Sequence, residues 1–538
     1  MKLKNIILIS LTLMSIIYNS SKAATLLVGT GGGDCGFPNI LTALNFASSG
    51  DTIAVAVGTY SGIEAQLTID RNLILKGGLS ENCQIFTNEL TVLQSDLPGA
   101  VINVDVSGGN EVTISGFDIS GSQLDILSSY TSGIHVTGAG TLKLENTLIH
   151  DNQSSLGGGI SAINNAIIDI SANTEIYSNT SLSAGGGIYC FDCSIFAVDT
   201  LIGKKQNGIE MGNSTSNSNA SGGGIYAENA NIALGVTNIT SGTVNVNYNK
   251  SNNGSGIALK NSNLSFGFKG SQISYNSSQI LEGLAVGTAI LGLGDSQVNL
   301  TDIKVTDNEF GVALNMKDSS DLMVKSSCSK PPCSEISRNK GTAVRIESDA
   351  TAFVSQTLID GNSQTAVLEA LSDTHSLITI ENSVISNHNN IPDSAELFFT
   401  SGFGEIQMWH VTVSNNQDPN NAFNIFRSVN NNSPITFDSG IIYGNSSPDL
   451  YANGDPFVQI RSSIIQYPIT GGMVNVLQAD PLLIDDYHIS FNSPAIDLVT
   501  EIILPIDIEN DLRPQGIAFD AGADEWTDLI FKNGFEQN

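Results

Sequence analysis

Gly157-Gly158-Gly159-Ile160, Gly185-Gly186-Gly187-Ile188 and Gly222-Gly223-Gly224-Ile225 repeat one phrase, and Gly254-Ser255-Gly256-Ile257 and Gly287-Thr288-Ala289-Ile290 continue it more loosely. Between the copies runs a second phrase, an aliphatic residue followed three places later by Asn. It occurs at Ile149/Asn152, Ile176/Asn179, Val246/Asn249, Ile273/Asn276, Val305/Asn308, Ile336/Asn339, Ile359/Asn362, Val413/Asn416 and Ile442/Asn445. The gaps cluster at 23 to 32 residues, with multiples where a copy is missing. A recurrence of that size denotes stacked units, so the 538 residues need not divide into three or four separate cores.

The segments between glycine clusters are short and rich in β-branched residues, as in Ala166-Ile167-Ile168-Asp169-Ile170 and Ser376-Leu377-Ile378-Thr379-Ile380. No proline interrupts residues 99 to 330, so every backbone donor there is free to join a ladder. Such coils predict an all-β chain wound as a parallel β-helix. Glycine supplies the positive φ of the bends, asparagine tolerates the same region, and asparagines at one position of successive coils can stack. The aliphatic residue three places earlier points inward, each burial worth roughly 1.5–3 kcal/mol. About 15 coils would make a rod of order 70 Å. Helical spacing occurs only over Ile40 to Ser48, where Leu41, Leu44 and Ala47 share a side.

Lys2, Lys4, the apolar stretch Ile6–Tyr18 and Ser21-Lys22-Ala23 predict a secretory signal over residues 1–23. Its removal takes three lysines, leaving 19 basic against 53 acidic residues, a net charge near −34. That surface disfavours nucleic acid and anionic lipid, and it repels free polyuronates unless Ca²⁺ screens the contact. No second apolar run is long enough for a membrane span. Export and an even cysteine count favour disulfides for the local pairs Cys35/Cys83, Cys190/Cys193 and Cys328/Cys333. Cys190-Phe191-Asp192-Cys193 also has the spacing of a redox pair or half a zinc site.

Asn39-Ile40-Leu41-Thr42-Ala43-Leu44, Gly50-Asp51-Thr52-Ile53 and Gly58-Thr59-Tyr60 resemble the opening of pectin-lyase-like right-handed parallel β-helices, in which a short helix caps the rod. The two repeated phrases resemble those of polymorphic outer-membrane proteins, with Ile or Val in place of Phe. Ala479-Asp480-Pro481, Asp486-Tyr487-His488-Ile489, Ser493-Pro494-Ala495-Ile496-Asp497, Arg513-Pro514 and Asp520-Ala521-Gly522-Ala523-Asp524-Glu525 resemble the closing region of bacterial choice-of-anchor surface proteins. Residues 528–538 resemble a short tag of exported proteobacterial proteins. The resemblance implies a signal over 1–23, a single-stranded right-handed β-helix over 24–470, a closing region over 471–527 and the tag. It implies a protein exported to the surface or surroundings of a Gram-negative-type bacterium, with the closing region and the N-terminal helix capping the rod ends.

Relatives of this kind that cleave acidic polysaccharides carry Ca²⁺-binding acids beside a basic residue. Here Lys325, Lys330, Arg338, Lys340 and Arg345 cluster, with Asp349 and Asp360 downstream. Arg345 as base, with Asp349 and Asp360 for Ca²⁺ on an adjacent coil, is the candidate catalytic set of a polysaccharide lyase. The alternative is a charged loop tied by Cys328 and Cys333. No complete polygalacturonase-type set is present, since His375 lacks a following Gly and Arg345-Ile346-Glu347 lacks the lysine. Asp302/Asp307 and Asp318/Asp321 are further Ca²⁺ candidates, and Asp480, Asp497, Arg513, Asp520 and Glu525 read as paired charges and turn caps. His135, His150, His388, His410 and His488 read as turn or surface residues. The sequence therefore favours a non-catalytic, adhesin-like protein contacting polysaccharide or cell-surface glycan, without a resident cofactor. The other reading is a polysaccharide lyase or glycoside hydrolase.

Overall fold

In the computed structural model the residues described are 23–29, 34–125, 127–236, 241–278, 287–363, 366–389, 396–417, 424–429, 432–446, 457–467, 472–501 and 504–527. The expected signal sequence, up to Lys22, and the expected tag at 528–538 lie outside them. The chain winds as a parallel β-helix. One coil shows the rule: strand Ile160–Ile163 lies on a first face, Ile167–Ser171 on a second and Thr174–Tyr177 on a third, before Ile188–Phe191 starts the next coil. Each strand pairs in parallel with its counterpart, Ile160 with Ile188, Ile168 with Ile195 and Ile149 with Ile176. Among the described residues the third face stacks sixteen strands, from Gly58–Ser61 to Leu477–Gln478. The first two faces join where Leu368–Glu381 and Glu396–Trp409 run round their shared corner as continuous 14-residue strands. Pairing reaches Gln478, past the boundary at 470.

Inward-facing aliphatic residues of all three faces form one core, with Ile149, Ile176, Val246 and Ile273 at 0% exposure. Helix Ile40–Phe46 closes the N-terminal end. Asn39 caps it by accepting from the Thr42 amide at 2.8 Å, and Ile40 and Ala43 enter the core. Strand Thr25–Val28 already pairs with Thr52–Ala56, so the winding begins before the Gly-Asp-Thr-Ile segment.

The asparagines stack as expected. Each Nδ2 donates to the Oδ1 of the next through Asn152, Asn179, Asn213, Asn249, Asn276, Asn308, Asn339 and Asn362, at 2.9–3.1 Å. The same amides donate inward to carbonyls such as Ile149 O and Val246 O, both at 2.8 Å. The left-handed residue, however, is the one before the asparagine: Ser178, Tyr248, Tyr275 and Arg338 have φ of 52°, 60°, 56° and 52°. In the glycine phrase, Gly157, Gly185 and Gly222 have φ of 68°, 64° and 71°. The next glycine is required by proximity, because a Cβ on Gly158 would lie 2.5 Å from Gly186 O.

All three disulfides form: Cys35–Cys83, Cys190–Cys193 and Cys328–Cys333. That removes the thiols on which a redox or zinc reading of Cys190/Cys193 depends.

The closing region departs from expectation. Its first residues, to Gln478, add a last rung to the rod; beyond them it runs back along the flank. Outward positions on the third face turn from polar (Asn245, Gln272, Lys304, Glu335) to apolar at Leu358, Val384, Ile441 and Ile464, with Thr412 between Val384 and Ile441 accepting from Ala523 N at 3.0 Å. Those apolar side chains pack under Ile489, Ala495, Phe519, Ala521, Ile508 and Ala523. Gln356 Nε2 donates to Asp507 O at 2.9 Å and Asn382 Nδ2 to Ile506 O at 2.8 Å, across 151 and 124 residues.

Candidate functional site

The outward positions of the first face form a column fixed by strand register. His135, Ser161, Tyr189 and Tyr226 occupy successive coils, followed by Ala258 and Leu291. Asn315, Arg345, Glu369, Phe399 and Arg427 continue it.

Its N-terminal part is aromatic. Tyr189 and Tyr226 are parallel within 3° at 5.6 Å, because the coil spacing matches a ring stack. Tyr189 is buried at 8% exposure and Tyr226 is half-buried, so neither offers an open ring face. Tyr130, in the segment before Ile134, stacks on His135 at 4.9 Å and tilts against Tyr189 at 6.4 Å. His135 Nδ1 lies 2.8 Å from Ser161 Oγ, to which Ser132 Oγ donates at 2.7 Å. Burial depresses the His135 pKa, favouring the neutral ring, and pushes Tyr189 up to about 12. Burial also raises Tyr226, whose hydroxyl donates to Glu228 at 2.9 Å. The tyrosine hydroxyls remain protonated donors near neutrality.

The candidate catalytic set is dispersed. Arg345 lies in the column, its Nε on Glu369 of the next coil. Asp349 follows the left-handed Ser348 in the turn between the first and second faces. There it lines a 530 Å³ cavity with Asp318, Glu347 and Asp373. Asp360 sits on the third face, accepting from Ser386 Oγ and Asn387 Nδ2, both at 2.8 Å. Asp360 and Arg345 are not neighbours: the strand partners of Arg345 are Asn315 and Glu369, and those of Asp360 are Ser337 and Ser386. The sequence cluster is one coil's circumference, so closeness in sequence places its members on different faces.

Two of its other cations have carboxylate partners. Arg338 bonds Asp307 at 2.9 Å and Glu335 at 3.1 Å, and Lys340 pairs with Glu309 at 3.0 Å. Lys325 ends a second-face strand, and Lys330 lies inside the Cys328–Cys333 loop. Asp302 anchors that loop, accepting from the Ser327 and Cys328 amides at 2.7 and 3.2 Å. It also lies near both sulfurs, but these are bonded to each other and offer no thiolate. Asp318 Oδ2 accepts from Gly294 N at 2.9 Å, and Asp321 from Thr351 Oγ1 at 2.5 Å.

Two histidines read as turn or surface residues are fully buried. His388 occupies an asparagine rung, and His410 Nδ1 meets Arg513 Nη1 at 2.9 Å. The sequence reading also missed Asn213. An antiparallel hairpin, Lys204–Gln206 with Ile209–Met211, separates it from Ile202 and hides the three-residue spacing.

No family profile matches the chain, and no curated protein matches it. Among solved structures, the A-module of the Azotobacter vinelandii mannuronan C-5 epimerase AlgE6 is similar at 11% identity, covering 80% of this chain and 93% of that one, with a TM-score of 0.30. The pectate lyase Pel9A is similar at 12% identity, covering 94% and 97%, with a TM-score of 0.23. The fold rests on the strand registers above. Among the described residues no helix is long and apolar enough to cross a membrane.

Proposed function

We propose that this chain is an exported, surface-associated or secreted parallel β-helix protein that contacts a polysaccharide or cell-surface glycan without cleaving it, as an adhesin does. The supporting observation is the aromatic part of the first-face column, where Tyr130, His135, Tyr189 and Tyr226 form one continuous patch. Ring edges supply apolar contact, and the Tyr226 hydroxyl, whose proton goes to Glu228, leaves its oxygen as an acceptor for a sugar hydroxyl. The formal charge of −31 favours neutral or cationic glycans over polyuronates. The three disulfides suit an oxidising destination. The likeness of the closing motifs to choice-of-anchor proteins supports retention at a Gram-negative-type cell surface.

The test is binding of the purified mature chain to a panel of plant and bacterial polysaccharides, with and without Ca²⁺. Retention on at least one glycan, weakened tenfold or more in Tyr189→Ala/Tyr226→Ala, is the expected outcome. Unsaturated products or new reducing ends that vanish in Arg345→Ala would replace this reading with that of a polysaccharide lyase or hydrolase.

A further inference from the structure

We propose that His488, Glu509 and Asp524 form a binding site for a divalent transition-metal ion of the Zn²⁺ class inside the closing region. They come from three separate segments, yet one ligand atom of each lies within 4.8 Å of the others. His488 Nδ1 is 2.7 Å from Asp485 Oδ2, while Asp485 Oδ1 accepts from the Tyr487 and His488 amides at 3.0 and 2.9 Å. Asp485 is thereby fixed, and it fixes the ring: with Nδ1 committed to Asp485, Nε2 is the ring atom left for an ion, and it lies 3.1 Å from Glu509. A carboxylate behind the far nitrogen of a histidine is the arrangement that orients metal-ligating imidazoles.

Asp524 is 7% exposed. One of its oxygens accepts from Ile489 N at 3.0 Å, and the other accepts no hydrogen bond among the described residues. Arg513 does not serve it, being bonded to Glu525, His410 and the carbonyls of Asp520 and Gly522. Tyr487 Oη donates to Glu509 Oε1 at 3.1 Å, orienting the third ligand. Three carboxylates thus share one imidazole, a deficit of positive charge that a divalent ion cancels. One nitrogen and two oxygens suit zinc-like ions better than Ca²⁺, which prefers an all-oxygen shell. The ion would tie together three segments that press Ile489 and Ile508 onto the third face. Its role is to hold the clamp; the site is independent of the glycan reading.

The experiment uses the full mature chain, stripped with a chelator and titrated calorimetrically with ZnCl₂, MnCl₂ and CaCl₂. One equivalent of Zn²⁺ should bind, more tightly than Ca²⁺, and raise the thermal midpoint. Glu509→Gln and Asp524→Asn should each weaken binding at least tenfold, and Asp485→Asn by about tenfold while leaving one equivalent. Co²⁺ substitution should give a visible absorption band that His488→Gln abolishes. If His488→Gln does not fold, the partly exposed Glu509→Gln and Asp485→Asn carry the test. Failure of Zn²⁺ to saturate, affinity unchanged in these variants, or tighter binding of Ca²⁺ would overturn the proposal. The last two outcomes would indicate an ion elsewhere or of another class.

Discussion

The middle coils and the closing region satisfy buried backbone groups by opposite means. In the rod, one neutral amide recurs once per coil, each bonded to copies 23 to 36 residues away. In the closing region the acceptors are carboxylates placed without period. Asp507 accepts from the amides of Glu509, Asp511 and Glu525 at 2.8, 2.8 and 3.1 Å, and Asp520 from those of Asp497 and Trp526 at 2.8 and 2.7 Å. The contrast follows from charge. An amide can be stacked at the coil spacing of about 5 Å without accumulating repulsion, whereas a buried column of carboxylates cannot. Carboxylates therefore serve where they are few and not stacked, with the buried Arg513 paired to one of them, Glu525. The rod can grow by repetition; the clamp is a closed arrangement that can occur once.

Breaking one rung should give the largest effect. Asn249→Leu would strand Ile202 O, the Asn213 amide and one N–H of the Asn213 side chain, while Asn276 Oδ1 keeps the backbone amide of residue 249. At about 1–3 kcal/mol for each buried group left unpaired, with some relaxation, the loss is about 5 kcal/mol. Denaturant unfolding followed by the β-sheet signal measures it. Next is Arg513→Met, which leaves Glu525 buried without its cation and costs about 3 kcal/mol. That loss should be local: limited proteolysis should release residues 479–527 while the rod keeps its sheet signal. If both variants unfold the whole chain in one transition, the two regions are not separable and the comparison fails.

The rod was legible in the sequence because its contacts repeat. Ile149/Asn152 and its copies announce period, inward face and ladder together, since each rung meets an identical rung. Interruptions were not legible: the hairpin between Ile202 and Asn213 removes the spacing without removing the rung. The place of the closing region had a signal that went unread. Outward third-face positions become aliphatic at Ile441-Ile442 and Ile464-Ile465, where a solvent-facing strand would alternate. The candidate set is spread over the rod for a geometric reason. Proximity in the chain carries Arg345, Asp349 and Asp360 around the perimeter, whereas side chains meet along a column, about one coil length apart. Glu369, 24 residues from Arg345, is its actual partner.

The smallest effect at neutral pH comes from repairing the ladder. His388 stands where Asn would continue from Asn362 to Asn416, and its amide still donates to Asn416 Oδ1 at 3.1 Å. Its Nδ1 and Nε2 face the carbonyls of Asn362 and Ile359 at 3.0 and 3.2 Å. A neutral ring can donate to only one of them. Complete burial outweighs both carbonyls and the nearby Asp360 charge, and pushes the pKa down to about 4. In the unfolded chain the ring titrates near 6.5, so between pH 6.5 and 4 the unfolded state binds the proton and the folded state does not. Stability from the neutral ring is therefore complete above pH 6.5 and declines as pH falls toward 4, by on the order of 3 kcal/mol. His388→Asn restores an Oδ1 for the Asn362 donors and an Nδ2 for Ile359 O, and should add about 1 kcal/mol at pH 7.5. The difference between variant and parent should widen as pH drops from 6.5 to 4. A constant difference over that range would show that the buried imidazole already carries its second proton in the folded rod.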